Sequence, residues 1–142
     1  MNIVVSACLL GRNCKYNGKN NRNERVLSAI EGHNILPVCP EVTGGLPTPR
    51  KPSELRNGCA VNNAGEDVDR FFKGGVKKTM EVLKGISIDC AVLQSRSPSC
   101  GVKQIYDGTF TKTLIDGRGL FAQALADTGV RLIDAEDVPE KL

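Results

Sequence analysis

The chain has 142 residues, 40% hydrophobic and 25% charged, with a net charge of +3 and no tryptophan. That is the balance of a soluble globular protein long enough for one domain with a mainly aliphatic core. The mild charge excludes the strong basic footprint of a dedicated nucleic-acid binder, no run approaches the length of a membrane span, and Met1–Ala7 lacks the basic start and long apolar stretch of a signal peptide.

Ile3-Val4-Val5 predicts a first strand, which runs out into Ser6-Ala7-Cys8-Leu9-Leu10-Gly11. Arg12 to Asn23 is a polar loop with Cys14, Tyr16, Gly18 and the basic residues Arg12, Lys15, Lys19 and Arg22. It reads as a solvated surface, or as a flap over a site for a polar or anionic substrate. Asn23 is placed to cap a helix from about Glu24 to Glu31, with Val26, Leu27 and Ile30 on one face and Gly32 stopping it. Ile35 to Val38 predicts a second strand, whose pairing Pro37 is expected to make short or irregular. It ends in Cys39-Pro40-Glu41-Val42-Thr43-Gly44-Gly45.

Leu46 to Asn57 interleaves Pro47, Pro49 and Pro52 with charged residues and is expected to be neither helix nor strand. Gly58 to Val61 reads as a short strand or hairpin arm, with Asn62-Asn63-Ala64-Gly65 as its turn. Asp67 is placed to cap a helix from about Val68 to Lys84, with Phe71, Phe72, Val76, Met80 and Leu83 toward the core. Gly74-Gly75 weakens that helix and suits the close approach of another element. Asp89 to Gln94, preceded by Ile86 and Ile88, predicts a buried strand. It leads into Ser95-Arg96-Ser97-Pro98-Ser99-Cys100-Gly101, where Pro98 forces a turn and Gly101 lets the backbone close on whatever Cys100 holds. Tyr106 to Phe110 looks like a turn into a short extended piece. A helix from about Leu120 to Asp127 and a last strand, Val130 to Ile133, follow. The acidic tail from Asp134 is expected to be peripheral. The alternation of strands and helices predicts a single α/β domain over residues 1–142, Rossmann-like, with a mostly parallel sheet flanked by helices.

With no export signal a cytoplasmic location is expected, so the six cysteines read as metal ligands, catalytic thiols or small buried residues rather than disulfides. Three predicted strands end in cysteine-bearing loops, at Cys8, Cys39 and Cys100. Open α/β sheets place their ligands at the carboxyl ends of their strands. If the three strands are parallel and adjacent, three thiolates gather along one edge, a set that suits a soft metal or an iron–sulfur cluster. Three protein ligands rather than four leave one coordination position open, as in a catalytic centre. The plainer alternative is a set of small buried residues near strand ends, and no Cys-x-x-Cys spacing argues against it.

Glu41, two residues after Cys39, is placed to act as a general acid or base. Ser97 and Ser99 offer hydroxyls to a substrate or a bound sulfide, or serve only the turn around Pro98. Cys90 and Cys59 read as buried packing, and Cys14 as a competing ligand to Cys8. His33 reads as a capping or surface residue, which removes the usual zinc partner.

Ser6-Ala7-Cys8-Leu9-Leu10-Gly11, Cys39-Pro40-Glu41 with the following Gly-Gly-Leu-Pro-x-Pro-Arg, and Ser97-Pro98-Ser99-Cys100-Gly101, in this order, resemble the thiouracil desulfidase (TudS) family. The match runs from Ile3 to about Ile133. The resemblance implies a [4Fe–4S] cluster held by Cys8, Cys39 and Cys100, with the fourth iron free to take sulfur from a thiolated pyrimidine. The implied reaction is non-redox and gives the oxo base and sulfide. The resemblance also implies Glu41 as the acid/base and an assisting serine, Ser97 in preference to Ser99. Family members act on free thiouracil and relatives on thiolated uridine in tRNA. The lone domain and mild charge favour a small-molecule substrate. Two alternatives accompany this reading. One is a non-catalytic [4Fe–4S] sulfur-carrier module, which needs the cysteines but not the carboxylate. The other is action on tRNA, either as a desulfidase of its thiolated uridine or as a tRNA-binding accessory with Arg12, Lys15, Lys19, Arg22, Arg50 and Lys51 as its phosphate footprint. The oligomeric state is left open.

Overall fold

The structure is a computed structural model and describes all 142 residues. In chain order the elements are β1 (Asn2–Ser6), α1 (Glu24–Ile30), β2 (Asn34–Val38), α2 (Pro40–Thr43), β3 (Ser53–Arg56), β4 (Cys59–Asn62), α3 (Asp69–Leu83), β5 (Cys90–Leu93), β6 (Gln104–Tyr106), β7 (Leu114–Asp116), α4 (Leu120–Asp127) and β8 (Arg131–Asp134). Single 3-10 turns lie at Ala7–Leu10 and Ala135–Asp137.

β2, β1, β5 and β8 form a four-stranded parallel sheet in that order. Both faces are covered, which is why β1 and β5 read as unbroken apolar runs. Side chains alternate between the faces. Ile3, Val5, Cys90 and Val92 join Val26, Ala29 and Ile30 of α1 on one side. Val4, Ala91 and Leu93 join Leu83 of α3 and Phe121 and Leu125 of α4 on the other. The sheet is thus the helix-flanked parallel one that the alternation of elements predicts. No helix is long and apolar enough to cross a membrane.

Four local expectations are corrected. Pro37 does not shorten its strand: all five residues of β2 are in register with β1. β2 is an edge strand and needs donors on one side only, so a residue without an N–H fits there. The stretch from Leu46 to Asn57 is not irregular throughout, because Ser53–Arg56 pairs antiparallel with Cys59–Asn62. Asn57 and Gly58, at φ +52° and +79°, form the two-residue turn that an Asn-Gly pair favours. Asp67 sits one residue outside the cap of α3, its carboxylate accepting the Asp69 N–H at 2.9 Å.

The acidic tail is the fourth correction. Asp134, Ala135 and Val138 are buried. Asp134 accepts a short hydrogen bond from the Ser95 hydroxyl and another from the Glu136 N–H at 2.8 Å. Glu136 pairs with Arg96 at 2.6 Å and Asp137 with Lys103 at 2.9 Å. The tail therefore anchors both ends of the loop that carries Cys100. His33 closes the end of α1 with its backbone N–H on the Ile30 carbonyl (3.1 Å), and its ring lies between the N-terminal amine (3.0 Å) and the Leu142 carbonyl (2.7 Å).

α3 meets α2 backbone to backbone. A Cβ added at Gly75 would lie 1.9 Å from the Pro40 carbonyl oxygen, and one at Gly44 would lie 2.0 Å from that of Phe71. This contact seats α2, and with it Cys39 and Glu41. Gly74, next to Gly75, faces open space. Gly75→Ala is expected to destabilise by about 1–3 kcal/mol through overpacking. Gly74→Ala is expected to stabilise slightly, by about 0.5–1 kcal/mol, because Ala is the better helix former. Paired urea melts measure both, and a neutral Gly75→Ala would refute the close contact.

Candidate functional site

Because β2, β1 and β5 are adjacent and parallel, their following loops emerge at one edge of the sheet. Cys39, Cys8 and Cys100 line one cavity there, of about 550 Å³, together with Glu41, Ser97 and Ser99. The structure thus brings the three cysteines, the carboxylate and both serines of the sequence reading to a single cavity.

Each loop is shaped by its own residues. After β1 the chain turns at once into the 3-10 turn, ended by Gly11 at φ +96°. The Cys8 carbonyl accepts the Asn21 N–H at 3.0 Å, and the Asn21 amide donates to Cys8 Sγ at 3.5 Å. Burial pushes the Cys8 thiol up, and Asn21 partly offsets it. After β2, Pro40 takes the first position of α2, where a missing N–H costs nothing. After β5, Ser97 Oγ folds back to accept the backbone N–H groups of Ser99 (3.2 Å) and Cys100 (3.0 Å). The Pro98 and Ser99 carbonyls take the N–H groups of Leu120, Phe121 and Ala122, satisfying the start of α4. Gly101 is required by this turn itself: a Cβ there would lie 2.8 Å from the Ser97 carbonyl oxygen.

The cysteines differ in character. Cys100 is buried, and its thiol is pushed up to about 12. Cys39 is lowered, chiefly by the adjacent Cys14, against the opposing effect of burial, and its own Sγ donates weakly to the Cys14 carbonyl at 3.9 Å. Cys14 is raised correspondingly. Cys14, read from sequence as a neighbour of Cys8, therefore sits against Cys39 in the same cavity. Cys90 is buried as expected, but Cys59 is exposed on β4, which corrects its reading as a packing residue.

Glu41 is held at both carboxylate oxygens. Its Oε2 accepts the Ser99 hydroxyl at 2.7 Å, and its Oε1 accepts Arg50 Nε and Nη2, each at 3.2 Å. The Arg50 guanidinium also donates to the Cys14 carbonyl (2.9 Å), the Pro47 carbonyl (3.3 Å) and Thr48 Oγ1 (3.2 Å). Its side chain is 7% exposed and that of Glu41 14%. The only role the sequence suggests for Arg50 is in a phosphate footprint, and burial removes it from that role. The signal for its true place was its position at the end of the Gly-Gly-Leu-Pro-x-Pro-Arg motif. Of the two serines, Ser99 touches Glu41, and Ser97 reaches it through the Ser99 hydroxyl at 3.0 Å.

The flap reading of the loop after β1 agrees with the position of Lys15, Tyr16 and Asn21 on the cavity wall. The donor set also distinguishes between metal centres. No three His, Cys, Asp or Glu side chains close around a single ion. Yet Cys8, Cys39 and Cys100 line the same cavity. Three soft thiols around an open cavity, too spread for one ion, fit a multi-iron cluster, which holds its thiolates apart on separate metals.

The family model for 2-thiouracil desulfurase matches residues 3–137. The chain is 36% identical over 150 residues to the uncharacterized protein YbbK of Bacillus subtilis (strain 168), covering 99% of each. The solved structure of a [4Fe–4S]-dependent thiouracil desulfidase, TudS, aligns with a TM-score of 0.88 at 36% identity, over 98% of this chain and 93% of that one.

Proposed function

The chain belongs to the 2-thiouracil desulfurase family, and from that premise we propose that its cavity converts a thiolated pyrimidine and water into the oxo base and sulfide, with a [4Fe–4S] cluster held by Cys8, Cys39 and Cys100. The observation that carries this reading is the Ser99–Glu41 hydrogen bond of 2.7 Å in the wall that the three thiols share. When bound, the cluster supplies a thiophilic Lewis acid for the C=S sulfur through an iron with no protein ligand.

The protein's own part is proton handling. Water replaces sulfur on the ring carbon, so one oxygen–carbon bond forms, one carbon–sulfur bond breaks and no electrons are exchanged. The two protons of the water end on sulfide or in solvent. Glu41 Oε2 is the oxygen free of a cationic partner, and it is the atom assigned to take the first proton. Arg50 holds Oε1 and so fixes the direction in which Oε2 faces. Ser99 and Ser97 form a hydroxyl chain along which a proton can be passed back.

A small substrate is favoured over tRNA. Arg50 is buried, Arg22 pairs with Glu24 at 2.7 Å and Lys51 with Glu66 at 2.9 Å, which breaks up the six-residue cationic footprint. The four-point bracing of Glu41 and Arg50 is also a feature that a sulfur carrier does not need. Residues 1–142 are taken as one catalytic domain, working in the cytoplasm where thiols stay reduced.

Anaerobic reconstitution tests the reading. Wild type is expected to bind about one four-iron cluster and to release sulfide from 2-thiouracil. Cys8→Ala, Cys39→Ala and Cys100→Ala are each expected to lose both properties, while Cys59→Ala keeps them. Full iron and acid-labile sulfide in any of the three ligand variants would remove that cysteine from the set. A loaded wild type inert toward thiopyrimidines would remove the activity.

A further inference from the structure

The protein has four phenylalanines and two tyrosines, and the cavity is lined by both tyrosines and by Phe110. The other three phenylalanines pack in the hydrophobic clusters under α3 and α4, but the Phe110 ring belongs to none of the three clusters. Its backbone is left-handed, at φ +58°, a conformation unfavourable for a bulky residue. The loop between β6 and β7 that carries it is nevertheless fastened at many points. Glu54 of β3 accepts the N–H groups of Gly108 (3.0 Å) and Phe110 (3.1 Å) on one oxygen. Arg56 donates twice to the Gly108 carbonyl, at 3.1 and 2.7 Å. A Cβ at Gly108 would lie 2.8 Å from the Leu55 carbonyl oxygen, so the loop lies directly on β3. Inside the loop the hydroxyls of Thr109, Thr111 and Thr113 form a chain at 2.6 and 2.8 Å.

This construction holds an aromatic ring at the cavity wall at a conformational cost that the core does not require. We propose that Phe110 is the face on which the pyrimidine ring of the substrate stacks, and that Glu54 is the positioning residue that keeps it there. The inference rests on the thiopyrimidine reading above. Stacking acts on the π-face of the ring and is indifferent to whether the ring carries sulfur or oxygen. It therefore strengthens substrate, transition state and product alike, and belongs in KM rather than kcat.

The test is steady-state turnover of 2-thiouracil by anaerobically reconstituted protein, with product inhibition by uracil. Phe110→Ala is expected to raise KM about tenfold, to raise the uracil Ki by the same factor, and to keep kcat within about twofold and iron content unchanged. Phe110→Tyr keeps a ring and is expected to restore both constants. Glu54→Ala is expected to resemble Phe110→Ala. Glu54→Gln, whose amide oxygen still accepts both N–H groups, is expected to stay near wild type. Unchanged KM and Ki in Phe110→Ala, or a Tyr variant as impaired as Ala, would overturn the assignment. If loaded wild type turns over no thiopyrimidine, the reaction reading falls separately. Calorimetric uracil affinities of wild type and Phe110→Ala then decide the stacking, and equal affinities, or none in either, overturn it.

Discussion

Replacing Glu41 with Gln is expected to leave iron and acid-labile sulfide at wild-type content and to slow 2-thiouracil turnover by about 10²–10⁴-fold, the range for removing a positioned general base. Gln keeps the length of the side chain and an oxygen that Arg50 can use. It loses the capacity to take a proton from water, and with it the charge that pairs with Arg50 and the acceptor that faces Ser99. KM is expected to change little, because the lost interaction belongs to the transition state. Glu41→Asp separates charge from reach. Its carboxylate is withdrawn by one methylene from a site where one oxygen meets Ser99 at 2.7 Å and the other meets Arg50 at 3.2 Å, so both contacts cannot be kept. It is expected to fall between wild type and Gln. Single-turnover rates on protein of measured cluster content give the answer. Turnover of Glu41→Gln within about tenfold of wild type would take proton transfer away from this carboxylate and return the sulfur-carrier reading to contention.

The edge that gathers Cys8, Cys39 and Cys100 was legible because each part of it is local. An apolar run that ends in a cysteine-bearing turn marks a strand and its carboxyl end, and helices between such runs force parallel pairing. The register of β2 was harder, because Pro37 reads as a defect until the strand is known to lie at the edge. Asn57-Gly58 carried a plain turn signal, but three prolines just before it drew the whole stretch toward an irregular reading; the prolines end at Pro52 and the hairpin begins at Ser53. The tail reads as peripheral in the sequence because acidic residues usually face water. Here Asp134 is buried and occupied by Ser95 and by the N–H of Glu136. The choice between Ser97 and Ser99 depends on which way each hydroxyl leaves the Pro98 turn. Ser97 spends its oxygen on two backbone N–H groups, which leaves Ser99 to face Glu41. No spacing rule contains that geometry.

Arg50 stands in the sequence both as one of six basic residues and as the end of a motif, and its removal carries the second large effect. Arg50→Met is expected to destabilise by about 3 kcal/mol, the lower end of the range for breaking a buried pair from one side, since Glu41 keeps slight exposure. The melting temperature should fall by roughly 10 °C. The loss arises because a carboxylate is left in a nearly closed site with only Ser99 to solvate it. Arg50 also holds three segments together. Its guanidinium spans Glu41, Cys14, Pro47 and Thr48, and its own N–H donates to the Tyr16 carbonyl at 2.6 Å. An ammonium cannot reach four acceptors in one plane, so Arg50→Lys is expected to recover part of the stability and little of the turnover. The Glu41→Gln, Arg50→Met double variant separates charge from packing. With the stranded carboxylate gone, it is expected to be more stable than Arg50→Met alone, a coupling that thermal melts of the four proteins measure directly. If the two losses simply add, the ion pair is not what holds this wall, and the role of Arg50 reduces to its bonds with Cys14, Pro47 and Thr48.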